Sequence, residues 1–600
     1  MKSSFLEYYR ANLEHLRELS AEFAEQYPKV ASKLNISQLQ VQDPFVERLL
    51  EGTAFLAARV EKKFDDGFPQ FLQSLLLRQC PLLVSPVPAA TVLYATNKTN
   101  NDQSSSFSVS DRFDALTSMS KTPVSFSPLW NESILPGEVK GVSYVISVAN
   151  ELPCADLKLF ESKSALCIDL NFTSVMDAAV SDDLCFFLNM PDSDASVTIE
   201  ALEQGLTGIY LKSGDECVRV EEVIPKLRIL SEEKHLLEKA VKTLPGLASL
   251  YLFFCYPFLF RFVIFSGLGK KIRLFNKTDL RVVMVFDRQF KFNRALRSDS
   301  WLLNAVAVIN LFQKRSDRSS VGGAHESLCS LDRMKPLDYE VFSIDSVELY
   351  NRNNRQTATA LPFYSSSSAI DDEASAIFFS QKRKERLNGL YRKRSSYTKT
   401  EMYLAFSGDR FNADPSDFFE YTAVCWASNA DLSAFVRSDA LFKQRGSEVA
   451  FKAVVPVSRP GMPLLMRGNK EGFSGLSYVM MNLSSLMYQD EERGKSVLRQ
   501  MIGAFYPGDN DEKILLQNAV AGFKSEKRVF RFVQRGSVFY EQGYKLKVIL
   551  DEKELTGMGV YLFASVFRHL ITNFCSINLL VELEVWGLHR GLIARWDQNL

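Results

Sequence analysis

DPFVERLLEGTAFLAARVEKKFDDGFP, residues 43–69, reads as a helix with both ends written into it. Asp43 can cap the first free amides, and Pro44 takes the first helical position, where its missing N–H costs nothing. Phe45, Leu49, Leu56, Val60 and Phe64 recur at helical spacing and make one apolar face. Gly67, followed by Pro69, is expected to stop the helix, giving a rod roughly 33 Å long. Two features work against local stability. Asp65 and Asp66 crowd the C-terminal end, where the helix dipole disfavours anions. Gly52 sits mid-helix, where it costs about 1 kcal/mol relative to Ala. A chain that carries both penalties is constrained by what packs against the rod. Ala54, Ala57 and Ala58 keep part of its surface thin, so a partner helix can approach closely. Gly52, Ala54, Ala58, Asp65 and Asp66 are the interface candidates of this segment.

Working outward, helical spacing runs from Phe5 to about Cys80, broken at Pro28 and Pro44 and closed by CPLLVSPVP, residues 80–88. From Thr91 the chain turns to Ser, Thr and Asn with short apolar runs such as GVSYVISVA (141–149) and ALCIDLNF (165–172), which read as strands. LRVVMVF (280–286) and YEVFSIDSVELY (339–350) continue that signal. The expected class is α+β, a multi-domain elongated chain. Its segments are a helical 1–88, a β-rich 89–240, a central mixed 241–364, a charged linker or loop 365–400, and a mixed α/β 401–600. Within the last, TGMGVYLFASVFRHLITNF (556–574) holds a helix that begins near Val560. Leu562, Val566, Leu570 and Phe574 fall at four-residue steps, with Tyr561, Phe563, Phe567 and Ile571 between them. A helix so apolar on nearly all sides is expected to be buried on nearly all sides, with Arg568 reaching an acid or the solvent edge.

Six hundred residues exceed what one core normally supports. Lys+Arg and Asp+Glu are both 71, so no global field draws the chain to nucleic acid or an anionic membrane. Forty-five Phe against five Trp imply extensive buried aromatic surface in cores or at subunit contacts. The nine Cys are scattered without C-x-x-C spacing, which argues against a zinc ribbon or a disulfide framework. The N-terminus carries charges every few residues and lacks the apolar core of a secretory signal. A cytoplasmic protein is expected.

Candidate chemistry is sparse. GLASLYLFFCYPFLFRFVIFSGLG (246–269) is greasy enough to invite a membrane reading, the alternative being a membrane-associated assembly factor. Arg261 interrupts it, and the apolar run before that Arg is nearer to ~15 residues than the ~20 a span needs. A buried strand or broken core element fits better. The GKS at 494–496 lacks the Gly of a phosphate-binding loop, and Gly557-x-Gly559 lacks the third Gly of a dinucleotide fingerprint. None of the five His has a metal-ligand spacing. No catalytic, cofactor or metal site is expected. QKRKERLNGLYRKRSSYTK (381–399) is the strongest charge run, and reads as a solvated loop with a short exposed helix. If it binds anything, an acidic protein surface suits it better than nucleic acid, through Lys382, Arg383, Arg392 and Arg394.

The 43–69 segment, with EFAEQYPKVASKL (22–34) before it, closely resembles the N-terminal signature of the TssF family, also called ImpG or VasA. INLFQKRSDR (309–318), KPLDYEVFSIDSV (335–347), ASNADL (427–432), FSGLSYVMMNLSSL (473–486) and LDEKELTGMGVYLFASVFRHLITNFCSIN (550–578) resemble further family blocks in the expected order. The resemblance implies a structural wedge subunit of a type VI secretion baseplate, kin to the two-copy wedge protein of contractile phage. It implies two copies joined to one TssG, adaptors of TssK, the sheath initiator TssE and the VgrG spike hub as partners. It implies wedge helices in an inter-subunit bundle, and a cytoplasmic assembly docked at the inner membrane through the secretion apparatus. No cofactor, small-molecule substrate or nucleic acid is implied.

Overall fold

The computed structural model describes residues 5–31, 44–95, 105–146, 148, 152, 162–173, 182–230, 235–240, 245–321, 326–351, 356–363, 377–386, 394–408, 419–445, 450–467, 491–506, 508, 510–534, 537–555, 557–574 and 580–597. The class is α+β, with an N-terminal helical segment followed by sheet-rich regions. The first helix, Phe5–Gln26, is followed by a single turn, Pro28–Ala31, and by the long helix Pro44–Gln79. The long helix begins at Pro44 as the sequence predicts. It does not stop at Gly67: it runs through Gly67 and Pro69 to Gln79, a rod of 36 residues or roughly 54 Å. Its last turns are held by the body of the protein. Leu76 is fully buried, and the Cys80 amide donates to the Leu76 carbonyl. Tertiary packing outweighs the local cost of the Gly and the Pro.

Beyond this helix the chain builds sheets that draw strands from distant segments. A closed barrel joins Ala90–Ala95, Ala305–Ile309, Val124–Pro128, Phe113–Ala115, Leu441–Gln444 and Ala450–Ala453. Its interior is aromatic, with Phe113 edge-on to Phe451 at 5.0 Å and Phe126 to Phe442 at 5.5 Å. A five-stranded antiparallel sheet runs in the order Glu216–Val220, Leu206–Ser213, Asp279–Phe286, Ser164–Phe172, Gly137–Val145. The central sheet places Phe378–Glu385 between Gln356–Pro362 and Thr400–Ser407, with Glu340–Tyr350 and Glu420–Ser428 farther along. Residues 378–385, expected within a linker, are therefore an interior strand. Barrel and central sheet both combine strands from two or three of the segments expected to be separate.

The greasy stretch 246–269 is a broken core element. Helix Pro245–Cys255 leads to a tight turn, Pro257–Arg261, and then to strand Phe262–Phe265. Tyr251, Leu252, Phe260 and Phe262 are fully buried, and Arg261 is matched by Asp192 at 2.6 Å. Among the described residues no helix is long and apolar enough to cross a membrane. At its start a Cβ on Gly246 would lie 3.0 Å from the Leu570 Cα, so the missing side chain lets two helix backbones meet.

The second of those helices, Val560–Phe574, is the crossover between the parallel strands Ser537–Leu550 and Leu580–Gly587. Tyr561, Leu562, Phe563, Val566, Phe567 and Leu570 are all buried, as the pattern predicts. Arg568 reaches the solvent edge and lies 5.5 Å over the Trp596 ring. Gly559 precedes the helix at φ 81°, and a Cβ there would meet the Asp192 carbonyl at 2.8 Å. The Gly557-x-Gly559 pair is a turn into a helix, packed against Asp192 and Ser196.

Candidate interaction surface

The N-terminal helices form an antiparallel pair whose contact is narrow. Along the long helix, Glu47, Ala54, Ala58 and Glu61 share one stripe. Ala54 and Ala58 have no exposed surface. Asn12 donates to Glu61 at 2.5 Å, and Arg17 bridges Glu47 at 3.0 Å. The thin alanine face does receive a closely approaching helix, and that helix is the chain's own first one.

Gly52 lies elsewhere. It falls with Phe45, Leu49, Leu56 and Val60 on the opposite stripe, and a Cβ there would meet nothing within 4 Å. This stripe is the apolar face that periodicity marks for burial, and its side chains are largely exposed. Phe45 is 80% exposed, Leu49 71%, Leu56 61% and Val60 55%. Near the open end of the pair, Leu19, Phe23 and Tyr27 are also exposed. Asp65 and Asp66 fall within the helix, and their side chains lie outside the described residues.

The basic stretch is not a solvated run. Arg383 is buried in the interior strand, where its guanidinium donates to the carbonyls of Val341 and Phe342, at 2.6 and 2.7 Å, and to the Thr400 hydroxyl at 2.9 Å. Burial brings it down to about 10, against the opposing pull of Glu340. Its backbone exchanges two hydrogen bonds with the Gln73 side chain, which ties the long helix to the sheet. Lys382 and Lys384 both bridge Glu326, and Arg394 bridges Asp338 at 2.6 Å and Asp431 at 2.9 Å. Arg392 lies outside the described residues. Three of the four cations expected to face a partner are thus spent inside the chain.

Around them lies a polar junction that no sequence motif announces. Glu340 accepts the Thr400 amide and hydroxyl, at 2.8 and 2.6 Å, and the Tyr397 hydroxyl at 2.7 Å. Lys399 donates to the Pro336 carbonyl, and burial brings its ammonium down to about 8. Asn310 and Asn429 exchange hydrogen bonds of 2.9 and 2.7 Å, and Asn429 reaches the Asp338 carbonyl. The sequence blocks around 310, 338 and 429 meet at this point. They hold barrel and central sheet together.

Two other places have the composition of a site. Asp551, Glu552 and His589 cluster at the surface. Glu552 already accepts the amides of His589 and Arg590, at 3.2 and 2.9 Å, so it caps a turn. A cavity of about 240 Å³ is lined by Asn131, Glu132, Asp183, Arg228 and Asn304. Its one buried cation, Arg228, pairs with Glu132 and lies 4.9 Å over the Trp130 ring.

Comparison with known proteins places the chain as follows. The family described as "Type VI secretion system, TssF" matches residues 1–600. The type VI secretion system component TssF1 of Pseudomonas aeruginosa is 26% identical over 622 aligned residues, spanning 100% of this chain and 98% of that one. A chain in the cryo-electron-microscopy structure of a type VI secretion system TssK-TssF-TssG baseplate subcomplex superimposes with a TM-score of 0.73 at 18% identity, covering 92% of this chain and 98% of that chain. A chain of a type VI secretion baseplate complex superimposes with a TM-score of 0.54 at 16% identity, covering 99% of each.

Proposed function

Because the chain belongs to the TssF family, baseplate components of type VI secretion systems, we propose that it is a structural, non-catalytic wedge subunit whose N-terminal helical pair is completed by helices of other subunits. One observation carries this reading: the stripe of Phe45, Leu49, Leu56 and Val60, exposed along a helix whose opposite face is already packed. Fully burying such side chains contributes about 1.5–3 kcal/mol each. Four of them offer at most on the order of 6–12 kcal/mol before the cost of association, enough to decide whether a helix bundle forms. Gly52, in the middle of the stripe, is where a partner backbone can come closest.

TssG and TssK are the proposed partners, since the chain that this one superimposes on was solved in a TssK-TssF-TssG baseplate subcomplex. A second copy of the chain, TssE and the VgrG hub complete the assembly that the resemblance implies. It would lie in the cytoplasm, docked at the inner membrane through the secretion apparatus. Its output is mechanical: it holds partners in register until the ring rearranges.

The test is co-expression with TssG and TssK of the same system, followed by affinity purification and weighing of the complex. The double variant Leu49→Glu, Leu56→Glu should leave the melting temperature of the isolated chain within about 2 °C. It should lose TssG. A variant that still assembles at full stoichiometry would overturn the reading.

A further inference from the structure

Two cysteines far apart in sequence meet inside the central sheet. Along its hydrogen-bonded path that sheet runs Phe312–Arg315, Glu420–Ser428, Glu340–Tyr350, Gln356–Pro362, Phe378–Glu385, Thr400–Ser407, Ser327–Leu328. Ser327–Leu328 stands at one end, and Glu420–Ser428 lies next to the other. The sheet curls until these ends face each other. The Asp317 amide donates to the Ser330 carbonyl at 2.9 Å, and the Tyr421 hydroxyl to the Ser327 carbonyl at 3.5 Å. No strand ladder joins the two ends among the described residues. Behind this seam Cys329 Sγ lies 3.9 Å from Cys425 Sγ, both buried in the core formed by Leu331, Val347, Met402, Leu404 and Tyr421.

Both are free thiols. A disulfide holds its sulfurs about 2.05 Å apart, so these two must close by about 1.9 Å, shared between two side chains. Their backbones are held differently. Cys425 lies in a strand paired on both sides, opposite Lys314 and Ile344. Cys329 follows the two-residue edge strand, and its amide donates to the Met402 carbonyl at 2.9 Å. A short edge segment opens locally at lower cost than the interior of a sheet. Cys329 is therefore the sulfur that a small oxidant reaches. While the seam is shut the pair is unreactive. The hydrogen bond to Cys329, together with burial, holds the Cys425 thiol well above its ordinary value, and the thiolate is the reacting form.

We propose that Cys329 and Cys425 are a reversible oxidation site, with a peroxide as the oxidant, and that its disulfide turns the curled sheet into a covalently closed one. In the first step the Cys329 thiolate attacks a peroxide oxygen and the O–O bond breaks. The sulfur becomes a sulfenic acid, and the released hydroxide takes up the proton that the thiol gave away. The Cys425 thiolate then attacks that sulfur. The S–S bond forms, hydroxide leaves, and it takes up the Cys425 proton. The two sulfurs give up two electrons in all, and one hydrogen peroxide becomes two waters. Attack by a small thiol reverses the bond. Transient disulfides of this kind are the form that suits a reducing compartment. The link joins residues 96 apart, within the sheet that receives the end of the long helix through Gln73 and Arg383. Oxidation therefore stiffens the anchored end of the rod.

The test exposes the full purified chain, reduced beforehand, to hydrogen peroxide without denaturant. The chain is then quenched with N-ethylmaleimide and digested without reductant. Mass spectrometry should find a peptide joining Cys329 to Cys425, two hydrogens lighter than its parts and lost on treatment with dithiothreitol. Circular dichroism should not change, which places the bond in the folded sheet. Hydrogen exchange over residues 326–331 should slow by about tenfold in the oxidised chain. In Cys425→Ala, where the resolving sulfur is gone, dimedone should label Cys329. The crosslink in the unmutated chain is read independently of how that variant folds. Two thiols that both remain free after peroxide, a link from either to another cysteine, loss of structure on oxidation, unchanged exchange, or no dimedone label on Cys329 would each overturn the proposal.

Discussion

Two helices of this protein each carry an apolar face and meet opposite fates. Val560–Phe574 buries Tyr561, Leu562, Phe563, Val566, Phe567 and Leu570 within the chain. Pro44–Gln79 leaves Phe45, Leu49, Leu56 and Val60 in water. The difference lies in topology. The first is the crossover of two parallel strands, so its connections fix it against a sheet, while helix Pro245–Cys255 closes its other side. Along residues 47–61 the second meets, among the described residues, the first helix, and that neighbour takes the alanine stripe. Apolar periodicity states that a face must be covered. It does not state whose residues cover it.

The largest expected effect tests this contrast directly. Phe567→Ala should cost about 3–5 kcal/mol in urea unfolding, because a ring is lost from a packed core. Phe45→Ala should stay within about 0.5 kcal/mol. Equal losses at the two positions would break the comparison. They would place Phe45 in a core of the solitary chain.

The start and face of both helices were legible in the sequence, and so was the α+β class. The end of the long helix was not. Gly67 and Pro69 are stop signals by local propensity, but Leu76 is buried in the body of the protein and Gln73 bonds to Arg383, 310 residues away. The basic stretch was misread for the same reason. Arg383 looks like one cation in a run, yet strand pairing carries it inside, where Val341, Phe342 and Thr400 supply its acceptors. Exposure of a charge depends on neighbours that spacing cannot reveal.

The second prediction moves to the joint where the long helix meets the body. Arg383→Met should destabilise the chain by about 2–4 kcal/mol, since two buried carbonyls lose their donor. Lys382→Gln, one residue away and ion-paired at the surface, should cost less than about 1 kcal/mol. If the two variants matched, the anchored end of the long helix would be as loosely held as its bare end.

A third prediction uses pH at the same joint. The Lys399 ammonium is brought down to about 8 by burial, while in the unfolded chain it titrates at its ordinary 10.5. Below pH 8 both states carry the proton, and the folded state bears the cost of a buried cation. Between about 8 and 10.5 the unfolded state binds more protons, so this group adds stability as pH rises, up to about 3 kcal/mol. Lys399→Met should remove that rise and be neutral or stabilising at pH 7. A variant whose stability tracks the parent between pH 7.5 and 10 would show that the ammonium is solvated.

The smallest effect separates the helix's own stability from its use. Gly52 is a helical glycine in open space, so Gly52→Ala removes backbone entropy from the unfolded chain and clashes with nothing. The isolated protein should gain up to about 1 kcal/mol. If a partner helix seats against that bare position, the added methyl falls where two backbones meet, and co-purification of TssG should weaken even as the chain itself becomes more stable. Opposite signs in the two measurements are the outcome that only an unfinished bundle produces. A gain in both would mean that Gly52 faces water in the assembly too, and the partner would then have to cross the stripe nearer Phe45 or Val60. A loss in the isolated chain would contradict the open space around Gly52 and, with it, the claim that this face of the helix is exposed.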